Sequence, residues 1–240
     1  QARNAVTMAY EARARREWEQ LPAYGQIAKD DHELGAYPLF WYWRQQLQDT
    51  RLPIEQAGLQ QFIASQPNTY VAERLKADWQ VAAARSGDFS LVKQLGLTNL
   101  NLSAPKCAYY QALTATSVKF NKQDALEAFN ANSSCWDMLR TMRNAGRISF
   151  ADLQNPMRAA VEYDNKGNAR NYASLVFDGN QLRDYDAILA NPSTWLATQS
   201  GRAANPAQEE LRAIAFSRLA RQDRDMGIGV LQSRGAELLT

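Results

Sequence analysis

The fold class that the sequence predicts is all-α: an irregular right-handed superhelix (solenoid) of short antiparallel helix pairs. The composition favours helices, because the chain has 38 Ala and 25 Leu against 15 Val plus Ile. Apolar residues recur at helical steps of three and four, as at Val71, Leu75, Trp79 and Ala82. No comparable segment alternates apolar and polar residues as a half-buried strand would. Turn residues also interrupt the helical patterns often, which predicts many short helices.

Prolines and polar turn residues predict the order of these helices. Pro53, Pro105, Pro156 and Pro206 each occupy a position typical of the first residue of a helix. The segments between breaks suit helices of about 10 to 16 residues joined by short turns, the connection expected between antiparallel neighbours. The predicted breaks are Ser86 to Asp88, Lys119 to Asn121, Gly146 to Ser149, Asn165 to Asn168, and Gln222-Asp223.

The domain organisation predicted is one domain over residues 1–240. No strict repeat of about 34 or 40 residues runs along the chain, so the sequence does not indicate a consensus repeat array. The polar residues are spread evenly, as in a stack in which each helix pair contacts chiefly its neighbours. No shift in composition marks a second domain.

Charge and hydropathy exclude two classes of partner. Lys plus Arg number 27 against 25 Asp plus Glu, without the clustered basic excess of a nucleic-acid-binding protein, so we expect no nucleic acid. The longest strongly apolar stretch, Tyr37 to Trp43, is far shorter than the roughly 20 residues of a membrane-spanning helix, so we expect no membrane span. No signal peptide is visible, which fits a cytosolic protein or a mature exported one.

The two cysteines, Cys107 and Cys135, lie near predicted helix starts, with one further helix, about Lys122 to Ala131, between them. In an up-down-up array the first and third helices begin at the same end, so a disulfide is geometrically reasonable. A disulfide would indicate an oxidising compartment such as the bacterial periplasm. The alternative is a pair of buried free thiols in a cytosolic protein.

The sequence contains no recognisable catalytic, metal-binding or cofactor-binding constellation. His32 is the sole histidine and lies in an acidic segment, so we interpret it as a solvated surface residue. No glycine-rich nucleotide-binding motif occurs. Glu209 and Glu210 follow Pro206 in a predicted first turn, where carboxylates favour the positive end of the helix dipole, so we assign both to capping.

The densest aromatic run is Tyr37 to Trp43. Aromatic rings can fill a core or stack on sugar faces. Because some of these rings must point inward at helical spacing, we interpret the run chiefly as packing. A carbohydrate or peptide surface is the alternative.

A series of short motifs resembles the N-terminal part of the soluble lytic murein transglycosylases. No single motif is specific, and the order of the motifs together with the cysteine pair carries the resemblance. Pro156 departs from the family pattern, whose corresponding helix is uninterrupted. The motifs are Ala36 to Leu39, Trp43-Arg44, Gln61 to Ile63, Pro67 to Thr69, Ala72 to Leu75, Trp79, Ser86 to Asp88, Cys107 to Tyr110, Cys135, Ala213 to Phe216 and Ala220 to Asp223.

The resemblance implies a ring-like superhelix whose parent enzyme carries a separate lysozyme-like domain. That domain cleaves the peptidoglycan glycan without hydrolysis, yields a 1,6-anhydro product and uses a glutamate in a glutamate-serine motif. No glutamate of this chain precedes a serine, and Met226 to Gln232 is only a weak echo of the family's second catalytic motif, which we interpret as a last helix. We therefore transfer no catalytic residue.

The function predicted is a noncatalytic scaffold region of a periplasmic soluble lytic murein transglycosylase involved in cell-wall turnover. Its partners would be the remaining superhelical and catalytic domains of the parent enzyme, with peptidoglycan as a further candidate. One alternative is a stand-alone helical scaffold that binds a peptide or protein. Another is an enzyme with an unrecognised carboxylate site.

Overall fold

Helices account for all the regular secondary structure in residues 1–50 and 53–239, the part of the chain that this computed structural model describes. The predicted all-α class is confirmed. Each helix packs chiefly on its next or next-but-one neighbour along the chain, as in an array of helix pairs. The chain divides into two compact units, Gln1–Ala145 and Gly146–Thr240. The single domain over residues 1–240 stays a prediction.

The first unit contains nine α-helices and one short 3₁₀ helix among its described residues. They are α1 (Ala2–Ala14), the 3₁₀ helix Trp18–Gln20, α2 (Leu21–Ala28), α3 (Tyr37–Gln48), α4 (Gln56–Ala64), α5 (Tyr70–Arg85), α6 (Phe89–Leu95), α7 (Ser103–Ala115), α8 (Lys122–Ala128) and α9 (Ser133–Asn144).

The second unit contains six α-helices in its described part. They are α10 (Phe150–Glu162), α11 (Lys166–Val176), α12 (Gly179–Ala190), α13 (Pro192–Ala197), α14 (Pro206–Gln222) and α15 (Arg224–Leu238).

Side-chain caps explain where most of these helices begin. The first backbone N–H groups of a helix lack partners within it, and a short polar side chain just before the helix can accept from one of them. At α10, Ser149 and Asp152 form a reciprocal capping box. Single caps of the same kind begin other helices, at Glu55, Thr69, Asp88, Asn121, Asn132, Asn165, Asn205 and Asp223.

Three of the four prolines predicted to be the first residue of a helix do not occupy that position. Pro206 is the first residue of α14, as predicted. Pro53 precedes the capped start of α4, and Pro105 is the third residue of α7. Pro156 lies inside α10. The Ser149 capping box fixes the start of α10 upstream of Pro156, so the helix start predicted at this proline is wrong.

The core of the first unit is centred on α3, α4 and α5. Phe40 and Trp43 from the aromatic run, Leu59 from α4, and Leu75 and Trp79 from α5 are all buried in one cluster. Fully burying each such side chain stabilises the fold by about 1.5–3 kcal/mol. The predicted periodic run of α5 is thus the face that holds its neighbours together.

Two glycines explain close turns and contacts. Gly87, between α5 and α6, has a φ of 79°, which a residue with a side chain adopts only with strain. Gly227 in α15 faces α14, where an added Cβ would come within 2.8 Å of the Cα of Ala220. The break at Ser86 to Asp88 and the close approach of α14 and α15 therefore both depend on glycine.

Candidate functional site

A disulfide joins Cys107 of α7 to Cys135 of α9, with 4.9 Å between the Cα atoms. Both cysteines are fully buried. Asn132 begins α9 by accepting from the backbone N–H of Cys135, and its side-chain nitrogen donates to the Ser103 hydroxyl at the start of α7 over 3.0 Å. The two helices therefore begin side by side, as the sequence predicted. The helix between them, α8, ends at Ala128 rather than near Ala131.

A groove in the first unit, bounded by α4, α5 and α6, has a volume of about 560 Å³. We call it the amide groove, because four carboxamide side chains line it beside an apolar floor. The carboxamides are Gln56, Gln60, Asn68 and Gln94, and the floor includes Ile63, Ala72, Trp79, Leu91 and Leu95.

One ion pair lines the amide groove. The Nζ atom of Lys76 donates to Glu73 over 3.0 Å, and the backbone N–H of Asn99 donates to the other Glu73 oxygen over 3.1 Å. The Asn99 N–H, followed by Lys76, holds the pKa of the Glu73 carboxyl below its ordinary value. The carboxylate is therefore charged at neutral pH, and its charge is balanced by Lys76.

The chemistry of the amide groove suits a neutral polar ligand. Each carboxamide offers both donors and an acceptor, so together they match hydroxyl, acetamido or peptide groups. Apolar side chains with a few polar groups are typical of ligand sites. The sequence analysis did not single out these carboxamides, because Gln56 and Gln60 lie on α4, Asn68 in the turn after it and Gln94 on α6, and only the packing of these segments brings them together.

His32 and the aromatic run lie where the sequence predicted. His32 is exposed. Within α3, Phe40 and Trp43 are buried in the core, whereas Trp41 is half-buried and lies under the Arg13 guanidinium, 5.3 Å from the ring centroid. The rings thus act chiefly in packing.

Asn205 supplies the side-chain cap of α14, so only the first-turn position of Glu209 agrees with the capping assignment, and the assignment is wrong for Glu210. Glu209 lies in the first turn of α14, but Glu210 is only 2% exposed. Its two oxygens accept from Arg158 over 2.8 and 2.6 Å, and Gln154 donates to one of them over 2.7 Å. Because these donors lie on α10, Glu210 links two helices rather than capping one.

Arg212, one turn from Glu209, is a second buried charge that sequence reasoning missed. Its guanidinium donates to the backbone oxygens of Gly201, Ser200 and Leu238 over 2.7 to 3.2 Å. Burial lowers its pKa, but an arginine stays protonated in proteins. The residue fixes the segment before α14 and the end of α15, which is a structural role.

Where the pKa of a carboxyl group is shifted, it is lowered. The pKa values of Glu17, Asp31, Glu73 and Glu237 all lie below their ordinary values. The main cause at Glu17 is the Arg15 side chain, and at the others it is a hydrogen bond from a backbone N–H. A general acid needs the opposite shift, so none of these four groups is suited to that role.

No group of three or more histidine, cysteine, aspartate or glutamate side chains in residues 1–50 and 53–239 could hold a metal ion. Within the same residues, no helix combines the length and the apolar character needed to cross a membrane.

Two solved structures resemble this chain, both of a 70-kDa soluble lytic transglycosylase. One is Slt70 from Escherichia coli, and the other is a complex with bulgecin A. Each matches with a TM-score of 0.60 at 18% sequence identity. The match covers 98% of this chain and 39% of the transglycosylase chain. No protein-family model and no curated protein matches the sequence.

At this level of identity the match establishes the fold. The chain spans about 39% of the length of the solved structures it resembles. Nearly all of its own residues, by contrast, lie within the matched region. The chain therefore has the all-α fold of part of the 70-kDa soluble lytic transglycosylase, which confirms at the level of fold the resemblance seen in the sequence motifs.

Proposed function

We propose that this chain is a noncatalytic helical region of a soluble lytic murein transglycosylase. The observation that carries the proposal is the fold match over 98% of this chain and only 39% of the transglycosylase. In this role both units would belong to one helical domain. The domain would support a separate catalytic domain and shape the space through which glycan strands pass.

The carboxyl groups support a noncatalytic role. Cleavage of a glycosidic bond needs a carboxyl group that protonates the leaving oxygen, which requires a raised pKa. The pKa shifts at Glu17, Asp31, Glu73 and Glu237 have the opposite sign. Both oxygens of the buried Glu210 are occupied by hydrogen bonds from Arg158, and one also accepts from Gln154. The glutamate-serine motif of the resembled family is also missing from the sequence.

The disulfide supports an exported location. Stable disulfides form in oxidising compartments such as the bacterial periplasm, and the Cys107–Cys135 bridge is buried between two helices. We propose the periplasm as the compartment. The partners would then be the remaining domains of the parent enzyme, and the polymer on which they act would be peptidoglycan.

The direct test is a cleavage assay with peptidoglycan sacculi. We expect the chain alone to release no 1,6-anhydromuropeptides, as measured by mass spectrometry, whereas the full-length protein of the same gene releases them. Boiled protein is the blank. Product from the chain alone that disappears in Glu73→Gln or Glu210→Gln would contradict the proposal and favour an enzyme with its own carboxylate site.

A second candidate function is favoured by the amide groove. A stand-alone scaffold would use this groove of about 560 Å³ to bind an extended peptide, whose backbone amides match the carboxamides of Gln56, Gln60, Asn68 and Gln94. A gene that ends at the codon for Thr240 favours this scaffold. A gene that continues into a region with a glutamate-serine motif favours the transglycosylase.

A further inference from the structure

A second cleft in the first unit has a strongly uneven charge. It lies between α3, α5 and the start of α7 and has a volume of about 290 Å³. We call it the arginine cleft. Its lining includes Arg44, Arg74, Asp78, Arg85, Ser103 and Ala104.

The arginine cleft contains three guanidinium groups and one carboxylate. The Nε of Arg44 donates to one oxygen of Asp78 over 2.6 Å, and the Nε of Arg74 donates to the other over 3.2 Å. A single carboxylate neutralises only one arginine. Its lining residues therefore carry three positive charges and one negative charge, a net charge of +2.

The unused donors in the cleft are the groups that bind oxyanions. Arg44 and Arg74 use their Nε atoms on Asp78, and within residues 1–50 and 53–239 their terminal nitrogens, each with two N–H groups, have no hydrogen-bond acceptor. Arg85 is exposed at the end of α5, and no acceptor for it is found in the part of the chain that the structure describes. Guanidinium groups bind carboxylate and phosphate oxygens in a bidentate manner.

The start of α7 adds to the positive potential of the cleft. This helix begins after Leu102 without a side-chain cap, so Ser103 and Ala104 present backbone N–H groups at the positive end of its dipole. Both residues line the cleft. The arginines supply most of the positive charge of the cleft, and the amide signals of these two N–H groups report on what binds there.

A purely structural role explains only part of this arrangement. An ion pair that links α3 to α5 needs one arginine on Asp78, yet two are present and Arg85 adds a third positive charge. Like charges in one cleft repel each other, and a bound anion removes that cost. We propose that the arginine cleft is a binding site for a ligand that carries an oxyanion group, either the carboxylates of an acidic peptide or a phosphate. This inference does not depend on the proposed function.

The test is a titration of ¹⁵N-labelled protein at low ionic strength with two probes, inorganic phosphate and the dianionic peptide acetyl-Glu-Glu-amide. We expect the amide signals of Ser103 and Ala104 to shift saturably with at least one probe, and the probe with the lower Kd identifies the source of the oxyanion. Arg85→Gln should raise that Kd about tenfold, since one charge-assisted hydrogen bond is lost. Added salt should weaken the binding.

The matched control is Arg202→Gln, which removes the same charge from an exposed arginine in the second unit. It should leave the Kd unchanged. Because Arg85 is exposed at a helix end, its variant should keep the circular dichroism of the parent protein. Absence of saturable shifts at Ser103 and Ala104 with both probes would overturn the proposal. An equal loss of affinity in the two variants would also overturn it, because it would reduce the effect to overall charge.

Discussion

Opening the Cys107–Cys135 disulfide is the perturbation whose cost the structure defines best. The bridge joins cysteines 28 residues apart in sequence, and both sulfurs are buried where α7 meets α9. Reduction removes the covalent link and adds only one hydrogen atom to each sulfur, so the change in the side chains themselves is small.

The expected cost follows from the loop that the bridge closes. A crosslink restricts the unfolded chain, and the loop-entropy relation for a separation of 28 residues gives about 3 to 4 kcal/mol at 25 °C. With a urea m value of about 1–3 kcal/mol/M, this loss lowers the midpoint of unfolding by about 1 M or more. The effect should be concentrated in the first unit, which contains both helices.

The assay should report on α7 and α9 themselves, because two compact units need not unfold in one transition. Hydrogen exchange across a urea series, read by mass spectrometry on peptides covering 103–115 and 133–144, gives the free energy of opening at these helices. The oxidised protein is compared with protein reduced by a phosphine. The double variant Cys107→Ala, Cys135→Ala is the control, and the reductant should not change its stability.

A loss below about 1 kcal/mol on reduction would refute the reasoning, because it would mean that the closed loop does not restrict the unfolded chain. Thiol titration of unreduced, unfolded protein separates the causes. Almost no free thiol is expected. Two free thiols would show that the bridge does not form and would remove the support it gives to a periplasmic location.

Two further predictions concern polar groups of α5. The Nε2 of the fully buried Gln80 donates to the backbone oxygens of Val92 and Gly96 over 3.1 and 2.7 Å. Gln80→Leu should therefore lower the free energy of unfolding in urea by about 1–3 kcal/mol, and Gln80→Glu should lower it more. The exposed control Gln60→Leu should change it by no more than about 0.5 kcal/mol. Equal stability of Gln80→Glu and the parent would contradict this account. Because the pKa of the Glu73 carboxyl is lowered on folding, this group stabilises the folded protein at a pH above its unfolded pKa, which is near 4.5. This stabilisation is lost as the pH falls through the folded pKa. The stability difference between parent and Glu73→Gln should therefore shrink on acidification below about pH 5, as measured by urea midpoints, and a difference that is independent of pH would refute the assignment.

The sequence alone predicted the helical class, most breaks between helices and a disulfide as one of two states of the cysteine pair. These depend on short-range physics: helix propensity, apolar periodicity and polar side chains that cap nearby N–H groups. Asn132, for example, both begins α9 and sets the position of Cys135, so the pairing of the cysteines follows from local signals and an up-down-up order. The order of the family motifs added the fold resemblance, which no single motif could carry.

The tertiary structure alone decided the roles of side chains whose partners are far apart in sequence. Glu210 has the spacing of a capping residue, yet it is buried because α10, more than 50 residues earlier, places Arg158 against it. Pro156 has the sequence context of a helix start, but the capping box at Ser149 begins that helix sooner. The amide groove and the arginine cleft likewise combine side chains from three separate helices. Helical periodicity specifies which face of a helix is apolar, but the partner that covers or charges that face is set only when distant segments pack together.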